Sequence, residues 1–123
     1  MVKTLLSLAA LILLSPGLVS AQAKTFTGNI MDSGCAKNGS HAQMQKMHKI
    51  PSSNALSGNE AKACTDACVK NGAAYVLYNR ATKTVYQLDD QTKPADFAGE
   101  RVRVTGTYDP STHTIHVESI SKA

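Results

Sequence analysis

The residues best suited to chemistry are the three cysteines, Cys35, Cys64 and Cys68. Cys64-Thr65-Asp66-Ala67-Cys68 spaces two thiols four residues apart. On a helix that spacing puts both on one face, with Cβ atoms about 5–6 Å apart. A disulfide needs Cβ atoms about 3.5–4.5 Å apart, so a regular helix keeps this pair unbonded. An ion held about 2.3 Å from each sulfur bridges the same gap. The spacing therefore favours shared metal ligation. The competing reading is a disulfide from Cys35 to one of the pair, with the third thiol buried and idle. An odd number of cysteines fits a free thiol, an intermolecular bond or a metal site.

A fourth donor is available in His41-Ala42-Gln43-Met44-Gln45-Lys46-Met47-His48. If this stretch is helical, His41, Met44 and His48 share a stripe, and imidazole and thioether both suit copper. The plainer reading is a surface segment whose methionines fill gaps over the core. Cys35, His41, Cys64 and Cys68 together make a closed set of three sulfurs and one nitrogen. That set suits tetrahedral Zn²⁺, and its softness also admits Cu(I). His48 is an alternative fourth ligand. Asp32 stands in the turn-forming run Asp32-Ser33-Gly34-Cys35, where its carboxylate either closes the turn or orients a ligand.

Enzymatic readings find little support. The chain has no Cys-x-x-Cys redox motif, no haem attachment motif and no glycine-rich phosphate loop. A nucleophilic pairing of Cys35 with His41 or His48 lacks an orienting third group. His113 and His116 read as strand residues three apart, hence on opposite faces and unable to chelate together. The expectation is a protein that is not an enzyme. The net charge of +4 carries no dense basic run, and tryptophan is absent. With so few aromatic residues for stacking on bases, a nucleic-acid partner is not expected.

The elements that position these residues follow from the pattern of the chain. Lys3, the apolar run Leu5–Leu14, the breaker Ser15-Pro16-Gly17 and the small residues up to Ala23 read as a secretory signal peptide over residues 1–23. The run is too short for a membrane span of about 20 residues. Cleavage leaves a single domain, residues 24–123, with no membrane anchor, in the periplasm or outside the cell. Thr25 to Asp32 alternates as a first strand. An insertion over about 36–72 follows. It ends in a helix from about Asn59 to Asn71, capped by Ser57 and Glu60 and stopped by Asn71-Gly72. Ala73–Tyr78, Lys83–Leu88, Arg101–Tyr108 and Thr114–Glu118 then read as four strands. Ile120 falls out of phase, which predicts a bulge or a strand end near Ser119.

Five short strands and one helix make an α+β domain, mainly β. They fit a small, partly closed barrel of the oligonucleotide/oligosaccharide-binding type, with the helical insertion after the first strand and plugging one end. Placement after the first strand departs from that fold, where the helix follows the third.

Four runs carry a resemblance: Gly28-Asn29-Ile30-Met31-Asp32-Ser33-Gly34-Cys35; Cys64 to Ala73; Val85-Tyr86-Gln87-Leu88; and Gly99 to Thr107. The combination resembles a family of small exported bacterial proteins of unknown function. The resemblance implies a barrel-like domain with Cys35, Cys64 and Cys68 as signature positions, and it implies no activity. A looser similarity is to periplasmic copper- and silver-binding small barrels, whose ligands project from strands. Two functions follow as expectations: a soft-metal site for Zn or Cu, or a disulfide-stapled module for an unknown protein or envelope component. A thiol-redox role is a third.

Overall fold

A computed structural model of the chain describes residues 22–38 and 58–123. Most of the expected signal peptide, and the His41–His48 stretch with its candidate ligands, lie outside the described residues. The described residues form five strands: β1 (Lys24–Asp32), β2 (Tyr75–Asn79), β3 (Thr84–Leu88), β4 (Arg101–Asp109) and β5 (Thr114–Lys122). Among the described residues two helices, α1 (Ser33–Asn38) and α2 (Gly58–Lys70), lie between β1 and β2.

The strands close into a ring in the order β1-β2-β3-β5-β4. β1 pairs antiparallel with both β2 and β4, which completes the circuit. The remaining seam, β3 to β5, is parallel and short, with Gln87 opposite Thr114 and Leu88 opposite Ile115. The expected mainly β, five-stranded small barrel with its insertion after the first strand is the architecture that forms.

Alternation along the strands separates two cores. Ile30, Leu77, Leu88, Val102, Val104 and Ile115 fill the interior of the ring. Met31, Val76 and Val85 have the opposite parity and face outward. Such an apolar outer face must be covered. The cover is the insertion, through Cys35 and Ala36 of α1 and Ala61, Cys64 and Cys68 of α2. This explains why β2 is buried from Tyr75 to Tyr78 without alternation: both of its faces are packed.

Two expectations change here. The cysteine face of α2 lies on the outside wall of the ring rather than plugging one end, because the outer face of β1 and β2 is itself apolar; of α2, Val69 packs against the interior cluster. And Asp32-Ser33-Gly34-Cys35 is not an isolated turn but the start of α1, with Asp32 as its N-cap. The bulge falls where the phase slip of Ile120 puts it. Thr105 pairs with Ser119 and Gly106 with Val117, so Glu118 is the extra residue, and Ile120 returns to the interior.

Candidate functional site

Each cysteine is placed by a local device. Cys35 is the third residue of α1, and its backbone N–H donates to Asp32 Oδ2 at 2.9 Å. This is the bond an N-cap side chain makes to the third helical position. The start of α1 is tied to the chain beyond α2, since Ser33 N–H donates to the Ala74 carbonyl at 2.8 Å and Ala74 N–H donates to Ser33 Oγ at 3.1 Å.

α2 ends where Asn71-Gly72 predicts. Gly72 takes a left-handed φ of 104°. Its N–H donates to the Val69 carbonyl, and Ala73 N–H donates to the Cys68 carbonyl, the paired bonds of a Schellman stop. The turn that fixes Cys68 is thus two residues from the loop that holds α1.

Further anchors hold α2 against the ring. Tyr75 Oη donates to Asp66 Oδ1 at 2.8 Å, and Asp66 pairs with Lys62 at 3.1 Å. Burial, and then Asp66, push the Tyr75 hydroxyl up to about 12. Near the other end of α2, Gly99 at φ 77° packs so tightly that a Cβ there would lie 2.5 Å from Lys62 N and 2.6 Å from the Ala61 carbonyl carbon.

The result is that the Sγ atoms of Cys35, Cys64 and Cys68 all lie within 4.8 Å of one another. All three thiols are free. Cys35 and Cys64 are each 5% exposed, and Cys68 is half-buried, so the cluster is reached from the Cys68 side. The α2 pair stands together on one face, as the four-residue spacing requires, and Cys35 joins it from α1.

The electrostatics of the cluster are those of acids held in their neutral form. Burial raises the Cys35 thiol most, and the charge of the adjoining Asp32 carboxylate raises it further. Burial, then the Cys68 and Asp32 charges, push Cys64 up to about 11. Cys68 is raised by burial and then by Asp32. At neutral pH such thiols are protonated and weakly nucleophilic.

Sulfurs about 2.3 Å from a shared tetrahedral ion lie about 3.8 Å apart. The observed spread of up to 4.8 Å thus needs a contraction of about 1 Å at most. The donor set fits a thiophilic ion: three convergent sulfurs, already desolvated, on two helices.

Two polar groups were not singled out from the sequence as buried. The Asp32 side chain is 1% exposed, and its Oδ1 accepts no hydrogen bond among the described residues. Thr65, next to Cys64, is fully buried, and its hydroxyl is likewise without a partner among the described residues. The proximity of Asp32 to Cys35 in sequence was the available signal; its burial depends on the ring and α2. His41 and His48 fall outside the described residues. His113 is not on a strand but in the β4–β5 turn, at φ 52°, where its Nδ1 is 3.0 Å from Tyr108 Oη. His116 is exposed on β5 and meets Asp89 at 3.1 Å. A separate concavity of about 330 Å³ is lined in part by Arg80 and Arg101.

A family model described as a protein of unknown function (DUF5818) matches residues 69–123. The match spans β2 to β5 and stops short of all three cysteines. No curated protein and no solved structure matches the chain.

Proposed function

We propose that this is an exported, non-enzymatic small-barrel protein whose Cys35, Cys64 and Cys68 bind one soft metal ion, zinc or copper. The observation that supports it is the meeting of three thiols from two helices within 4.8 Å. Neutral thiols packed beside a carboxylate are a reservoir of ligand charge. A cation releases their protons and takes up the resulting thiolates. Bound there, the ion ties the insertion to the outer wall of the ring, in a domain with too little core to waste a fixed link. The same raised thiols weigh against a nucleophilic or thiol-redox role.

The test is thiol accessibility on the purified chain. The metal reading predicts three alkylatable cysteines only after chelation, with no mass change beyond the ion. A metal-free chain two daltons light, with one alkylatable thiol, supports instead the disulfide-stapled reading.

A further inference from the structure

We infer that Asp32 supplies the fourth ligand of this site through Oδ1, completing an S₃O set for a divalent ion, Zn²⁺, rather than Cu(I); this rests on the metal-site reading above. Asp32 is nearly fully buried, yet Oδ1 has no hydrogen-bond partner among the described residues. A buried carboxylate oxygen left without a partner is costly, so its retention calls for a group that completes it. This carboxylate borders the thiol cluster: it caps the turn that carries Cys35, and its charge raises all three thiols. Its oxygens stand outside the group of sulfurs within 4.8 Å of one another, so it closes in on the ion as the ion binds.

The other oxygen is already committed. Oδ2 accepts the Cys35 N–H, which fixes the carboxylate plane beside the first sulfur. One oxygen held by backbone and the other turned to the ion is how ligating carboxylates are oriented.

Charge and softness then select the ion. Zn²⁺ with three thiolates and one carboxylate carries a formal charge of −2, the same as a four-thiolate zinc site. Cu(I) in the same set would carry −3 in a buried place, and a hard oxygen is a poor fourth donor for it.

Asp32→Asn separates ligand from cap, because the amide oxygen still accepts the Cys35 N–H while the carboxylate is gone. Asp32→Ser, which also caps, is the second variant should the first not fold. Zn²⁺ affinity is measured by competition with a chromophoric chelator, and Co²⁺ is used as a spectroscopic probe. The expected result is one Zn²⁺ per wild-type chain, an affinity about 100-fold weaker or more in the variant, and a shifted Co²⁺ ligand-field spectrum. Equal Zn²⁺ affinity with an unchanged Co²⁺ spectrum would overturn the assignment of Asp32 and leave the three-cysteine site standing. A wild-type chain that takes up neither Zn²⁺ nor Cu(I) would overturn both.

Discussion

At the scale of single residues, the three thiols and the buried Asp32 carboxylate set the character of the site. Thr65 illustrates the cost of burial without a partner. Its hydroxyl has no partner among the described residues, and its helix needs only a side chain of that shape. Thr65→Val should therefore raise stability by about 1 kcal/mol, measured by urea denaturation of the metal-free chain. A loss of stability would mean that the hydroxyl is bonded after all. The cysteines themselves were legible, because an i,i+4 pair on a helix and an odd count both point to convergence. Asp32 was legible as a turn former or an orienter of a ligand, but not as a buried group. Nothing in Asp32-Ser33-Gly34-Cys35 says that an apolar outer strand face and a second helix will close over it.

At the scale of elements, the site depends on how α2 is seated. Its helical span, its cysteine stripe and its Gly72 stop could be read from the sequence, because each has a local cause. The side of the ring it covers could not. That choice follows from Met31, Val76 and Val85 facing outward together, a property of three strands in register. Gly99 is the tightest point of the seat. Gly99→Ala should cost about 2–4 kcal/mol, combining a left-handed backbone with a clash against the α2 backbone. It should also weaken metal retention, since Ala61 and Cys64 lie one turn apart on the same face. Unfolding curves that coincide with wild type would show that α2 is not held there.

At the scale of the whole molecule, the ring is closed by its shortest seam. β3 and β5 pair over two residues, and Asp89 extends the join. Its N–H donates to the Ile115 carbonyl at 3.2 Å, and its Oδ1 accepts the Val117 N–H at 2.8 Å. The Val117 bond first, and then His116, hold the Asp89 carboxyl below the usual range. A carboxylate with a lowered folded pKa stabilises the fold at pH values above its unfolded pKa of about 3.9. That contribution is lost as pH falls through the folded value. Asp90 and Asp109 are also lowered, so the comparison must be with Asp89→Asn. The variant should be less stable by about 1 kcal/mol near neutral pH, and the difference should shrink below about pH 4. A gap that stays constant into acid would show that the seam does not depend on the charged carboxylate. The alternation of β4 and β5 was legible, being written in residue spacing, and so was the break in phase near Ser119, which read equally as a bulge or a strand end. The parallel seam was not, because Asp89 lies in a polar connection whose partner strand is known only once the ring closes.

The most direct test of the central claim is the metal content of the chain as purified from cells, measured by native mass spectrometry with elemental analysis. Wild type should carry one ion per chain, and Cys64→Ser/Cys68→Ser should carry none while keeping its β-sheet circular dichroism. A wild-type chain free of metal, or a double variant that holds the same ion as tightly, would contradict the account.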